Sequence, residues 1–92
     1  MKLMVICLLG EVSSIHTKYT SEVFNFDEDN HVAMGIIQAI SDKYEGLGLI
    51  IKHGGDEQTY VFDCTDTNEQ PSEVLTNSFY NELRSELHKA GY

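Results

Sequence analysis

Leu3-Met4-Val5-Ile6-Cys7-Leu8-Leu9 is a run of seven apolar residues held between Lys2 and Gly10-Glu11. So short a run makes a poor helix, because ordering the first turn costs conformational freedom that only further turns recover. It suits a strand whose side chains point alternately up and down and meet apolar neighbours on both faces. The expectation is a central strand, extending as far as Val12, with later strands and two helices packed around it.

Working outward, Ser13 to Thr17 reads as a polar connection. Lys18 to Phe26 alternates, with Phe24 and Phe26 on one side and Tyr19, Val23 and Asn25 on the other, as in a half-buried strand hairpinned to the first. Asp27-Glu28-Asp29-Asn30 then opens a helix whose Val32, Ala33, Ile36, Ile37, Ile40 and Tyr44 fall on one stripe. Gly46 is its expected stop. Gly35 weakens it by about 1 kcal/mol relative to Ala, and a strand crossing closely beneath would account for it. Leu47 to His53 is the third strand, Gly54-Gly55-Asp56-Glu57 a tight turn, and Gln58 to Thr65 the returning strand, with Tyr60, Phe62 and Cys64 on one face. Pro71 is placed for the first turn of a second helix, in which Leu75, Phe79, Leu83 and Leu87 form a four-residue row and Gly91 ends it.

The predicted order is ββαββα in one α+β domain spanning 1–92, each half reading strand, strand, helix, glycine. This implies a four-stranded, mostly antiparallel sheet with both helices on one face. The other face stays open to solvent or a partner.

Composition limits the function classes. A chain of 92 residues, 41% apolar with one proline, makes a single globular core without a linker. Fifteen carboxylates oppose six Lys and Arg, for a formal charge of −9. That field repels a free DNA duplex and an anionic membrane, and favours a basic partner. Cys7 and Cys64 sit in apolar runs without the spacing of a zinc site, and read as buried free thiols. Met1-Lys2 and the apolar run imitate a signal peptide, but no small-x-small cleavage site follows, so a cytoplasmic location is expected.

No motif carries chemistry. Gly54-Gly55-Asp56-Glu57-Gln58 brushes against the signature of diguanylate cyclases, with Gln58 in place of the final Phe, and a plain hairpin turn explains it better. Asp27-Glu28-Asp29-Asn30-His31 lacks the Gly and Glu of a calcium loop, which fall at Val32 and Gln38. His16, His31, His53 and His88 are scattered, and no nucleophile elbow or phosphate-cradling glycine loop is present. The expectation is a protein that is not an enzyme and uses no cofactor or metal.

The acids are more telling. If the second and fourth strands run parallel, the loops leaving them lie at one end of the sheet and gather Asp27, Glu28, Asp29, Asp63, Asp66, Glu69 and Glu73 there. Capping and dipole compensation at helix N-termini explain part of this. Crowding like charges costs free energy, so a docking surface for a basic partner is the stronger reading.

The chain, from Met1-Lys2-Leu3-Met4-Val5-Ile6 through the acidic loops to the C-terminal helix, resembles the phage-encoded anti-CRISPR proteins, in particular inhibitors of the type I-F surveillance complex. The likeness is one of size, charge and architecture. These proteins share no signature residues, so no functional residue is carried over. The resemblance implies stoichiometric inhibition in the cytoplasm of a host bacterial cell. The inhibitor would bind Cas proteins of the ribonucleoprotein, near guide RNA, and block target DNA. An immunity or antitoxin protein capping a basic nuclease would share this acidity, and gene neighbourhood would tell the two apart.

Overall fold

A computed structural model describes residues 2–9, 17–25, 31–54, 59–68, 70 and 72–92, with side chains at Phe24 and from His31 onward, 54 and 59 excepted. The chain is a small α+β fold. Its elements are β1 (Lys2–Leu9), β2 (Thr17–Asn25), α1 (His31–Gly46), β3 (Leu49–Ile50), β4 (His53–Gly54), β5 (Thr59–Asp63), β6 (Thr65–Asp66) and α2 (Glu73–Lys89).

The apolar run forms β1, which occupies an inner position in a sheet ordered β2-β1-β5-β4. β2 pairs with it antiparallel, with a register shift between Met4 and Ile6. β5 lies on the other side of β1 and runs parallel to it. The expected ββαββα order is therefore corrected in two ways. The sheet contains a parallel pair, and each strand of the second hairpin is divided in two. Leu49↔Asp66 and Ile50↔Thr65 form a separate two-stranded ladder, whereas His53↔Phe62 and Gly54↔Val61 belong to the main sheet. All four pairings follow one hairpin register, interrupted at Ile51-Lys52 opposite Asp63-Cys64. Beyond this break β5 ends its pairing with β1 at Asp63, and β3 packs beneath α1. Gly54 is still paired, so the turn begins later than Gly54–Glu57; 55–58 lie outside the described residues.

The core joins both helices to one face of β5. Phe62 is fully enclosed, with its ring centroid 5.1 Å from that of Phe79 on α2, and Tyr60 on the same face directs its hydroxyl to Met34 Sδ on α1. Ala33, Ile37, Ile40 and Tyr44 supply the buried stripe of α1, and Phe79, Leu83 and Leu87 that of α2. Full burial stabilises each large apolar side chain by roughly 1.5–3 kcal/mol relative to exposure. Val32 is a correction: at 63% exposure it stands outside the stripe, which begins at Ala33. Cys64 is a buried free thiol, as expected; the Cys7 side chain lies outside the described set.

The helix ends follow glycine chemistry, though not wholly at the expected positions. α1 continues through Gly46, and the left-handed residue is Gly48, at φ +92°, whose N–H donates to the Glu45 carbonyl at 3.0 Å. α2 ends as predicted at Gly91, φ +94°. There the N–H groups of Gly91 and Tyr92 donate to the His88 and Leu87 carbonyls, each at 3.0 Å, the two bonds of a Schellman motif. Among the described residues no strand crosses beneath Gly35: nothing lies within 4 Å of where a Cβ would stand. Pro71, expected in the first turn of α2, precedes its N-cap residue Ser72 and lies outside the described residues. Among the described residues no helix is long and apolar enough to cross a membrane.

Candidate functional site

The interrupted hairpin determines where the described acids meet. β6 ends at Asp66, whose register partner is Leu49. Leu49 follows the Gly48 turn that closes α1, so the last turn of that helix, which carries Glu45, leads directly into the rung opposite Asp66. On the other side Asp66 governs the entry to α2. Its Oδ1 accepts the N–H groups of Asn68 and Gln70, both at 2.9 Å, and its own N–H donates to the Gln70 carbonyl at 2.8 Å. Such an Asx-type clamp is the usual work of Asp before a helix. Glu73 then begins α2, where the positive end of the helix dipole favours it.

The acids along these connections are Glu45, Asp66 and Glu73, with Asp63 three residues upstream of Asp66. Glu45 and Glu73 are exposed, and none of the four forms an ion pair among the described residues. Asp63 is half-buried, and its Oδ1 is enclosed with no hydrogen-bond donor among the described residues. Among the described residues no three His, Cys, Asp or Glu side chains gather closely enough to hold a metal ion. These acids stand as separate charges, not as a chelate.

The sequence placed seven acids at one pole. Asp63, Asp66 and Glu73 are described and follow one another along the β5–β6–α2 path. Asp27, Glu28, Asp29 and Glu69 lie outside the described residues. The premise that joined the two groups is corrected. β2 is antiparallel to β1 and β5 is parallel to it, so β2 and β5 run in opposite directions. Asn25, where β2 ends, is paired with Lys2, whereas Asp63, where β5 ends, is paired with Leu8. Six residues of strand separate those rungs, about 20 Å at the usual rise. The physical reason is that β5 docks beside β1 as a parallel neighbour, which reverses its exit relative to an alternating sheet.

Glu45 is the member that the sequence reading missed. Its only signal was a carboxylate one residue before a helix-stopping glycine; its approach to Asp66 depends on the tertiary path. The reading also missed what fastens the two helices. Glu82 on α2 receives Lys43 Nζ at 2.6 Å on one oxygen and the Tyr44 hydroxyl at 2.8 Å on the other. Tyr44 meets Phe79 edge-on, with centroids 5.5 Å apart. The hydrogen bonds from Lys43 and Tyr44 hold the Glu82 carboxyl below its ordinary range. Burial, followed by the bond to Glu82, pushes the Tyr44 phenol up to about 12. Lys43, a cation near the corner, is thereby committed to α2.

One contact has the outline of a nucleophile and its base. Ser41 Oγ lies 3.2 Å from His53 Nε2, and the His53 ring packs edge-on against Phe62. Ser41, however, is only 1% exposed, under the imidazole, so a substrate carbonyl has no path to its Oγ. The pair satisfies a buried hydroxyl and anchors β4 to α1. The chain matches no family model, no curated protein and no solved structure.

Proposed function

We propose that this chain is a non-enzymatic inhibitor that acts by occupancy, setting its acidic corner against a basic surface that otherwise holds nucleic acid. The observation that carries the reading is the corner itself. Glu45, Asp66 and Glu73 have no lysine or arginine pairing them among the described residues, while Lys43 and Lys89 are held by Glu82 and Glu86. Exposed carboxylates in this setting gain from charge-assisted contacts to Lys and Arg of a partner.

The partner class is the one implied by the whole-chain resemblance, the type I-F CRISPR surveillance complex, with Cas proteins lining the channel for target DNA. A site in the cytoplasm of the host cell belongs to the same proposal. Asp27, Glu28, Asp29 and Glu69 remain candidate contacts. The test is a target-DNA binding assay with purified surveillance complex and increasing amounts of this protein. Loss of DNA binding that saturates at a fixed molar ratio is expected. Unchanged DNA binding at large excess would remove the reading.

A further inference from the structure

We propose that the face of the main sheet turned away from the helices binds a second copy of this chain. The strand register decides which residues stand there. Both helices pack on the other face: Phe79 of α2 meets Phe62, His88 of α2 meets Phe24, and the Tyr60 hydroxyl donates to Met34 Sδ on α1. Leu3 is paired with Phe24, Val5 with Tyr60 and Cys7 with Phe62, so these β1 positions belong to the helix side. Alternation assigns Met4, Ile6 and Leu8 to the opposite side. Val23, paired with Met4, and Val61, paired with Ile6, extend that row onto the neighbouring strands. Five apolar residues thus adjoin on a face that carries neither helix. Apolar patches larger than a few hundred Å² mark interaction sites on proteins in water.

The charges name the occupant. Leu8 is paired with Lys18 on one side and with Asp63 on the other, so a cation and a carboxylate flank the end of the apolar row. They stand two strand spacings apart, about 10 Å, too far to pair within one chain. Asp63 is half-buried and forms no ion pair among the described residues, and its Oδ1 meets no donor there. Turning a second copy about a two-fold axis along β1 sets β1 over β1 and exchanges the flanks. Lys18 of each copy then lies opposite the position of Asp63 in the other, twice, around a centre of Met4, Ile6 and Leu8 from both. Aligned sheets stack in this manner about 10 Å apart.

A two-fold axis across the strands sets Lys2 over Leu8 and forms no such pairs. The cost of the first arrangement is Lys2 opposite its own counterpart at the far end, which the flexible stem of lysine reduces. Two of the chain's six Lys and Arg, Lys2 and Lys18, stand on this face, and they lower the mutual repulsion of two chains of charge −9 where the sheets meet.

The experiment is sedimentation equilibrium of the wild type up to about 1 mM, beside the variants K18E and D63K, with folding of each checked by circular dichroism. A reversible dimer is expected for the wild type, and its amide shifts on dilution should be confined to β1, β2 and β5. Each variant sets like charges opposite one another at both flanks and should dimerise at least about tenfold more weakly. Mixed in equal amounts, the two variants should associate with each other at close to the wild-type affinity, because opposite charges then face again at both flanks. A wild type that stays monomeric would leave the face to some other chain and overturn the proposal. Dilution shifts centred on the helices, K18E dimerising as well as the wild type, or no association between folded K18E and folded D63K would each overturn it too.

Discussion

The two ends of α2 carry opposite charge. At its start Asp66 clamps the entry and Glu73 occupies the first turn, with Glu45 arriving from α1; at its finish Arg84, His88 and Lys89 line one groove. Between them Phe79, Glu82 and Leu83 fasten the helix to the rest of the fold. The sorting follows the macrodipole in direction, and at the finish Glu86 offsets part of the positive charge through its pair with Lys89. The comparison separates two kinds of residue. The middle of α2 holds the molecule together, and the ends carry its polar and charged residues.

The largest expected effect breaks both ends together. Phe79→Ala removes the ring that meets Phe62 and Tyr44, and should cost about 3–5 kcal/mol by urea denaturation, lowering partner binding with it. Gly48→Ala should affect one end alone. At φ +92° an alanine costs about 1–2 kcal/mol and strains the turn that delivers Glu45, leaving the α2 groove unchanged. Gly35→Ala is its opposite, a gain of about 1 kcal/mol with neither end disturbed, because the added methyl meets nothing within 4 Å.

Acid tests the fastening between the ends. Glu82 has its carboxyl pKa lowered by Lys43 and Tyr44, so its contribution is present above the ordinary carboxylate value and is lost as pH falls through the lowered one. Tyr44 is shifted upward, so its contribution is present below the ordinary phenol value near 10.0 and is lost as pH rises through about 12. Glu82→Gln should flatten part of the acid limb of a stability-against-pH curve, at a loss of about 1 kcal/mol near neutrality. An acid limb identical to that of the parent would show that the α1–α2 contact rests on packing alone.

Much of this was legible in the residues because local patterns decided it. The seven-residue apolar run became a strand inside the sheet, Phe79, Leu83 and Leu87 of the expected row became the buried side of α2 with Leu75 half-buried before them, and Gly91 ended it in a Schellman turn. What resisted reading was direction and distance. An all-apolar strand presents the same chemistry to a parallel or an antiparallel neighbour, so nothing in Leu3 to Leu9 announced that β5 would run alongside it. The candidate site divided on the same line. Asp63, Asp66 and Glu73 were recognisable as acids on the path into a helix, whereas joining them to Asp27–Asp29 required the strand direction that the sequence left open. Glu45 was hidden because helix-stop logic singled out Gly46, while the chain reverses at Gly48.

Docking of the acidic corner on cations of a partner is tested most directly by the affinity for purified type I-F surveillance complex across a salt series. The wild type is compared with the E45Q/D66N/E73Q variant, in which the side-chain amide at position 66 keeps an oxygen acceptor for the N–H groups of Asn68 and Gln70. The account predicts that wild-type affinity falls steeply with salt, and that the variant binds at least about tenfold more weakly with a shallower slope. Equal affinity and equal salt dependence for the two proteins would contradict it.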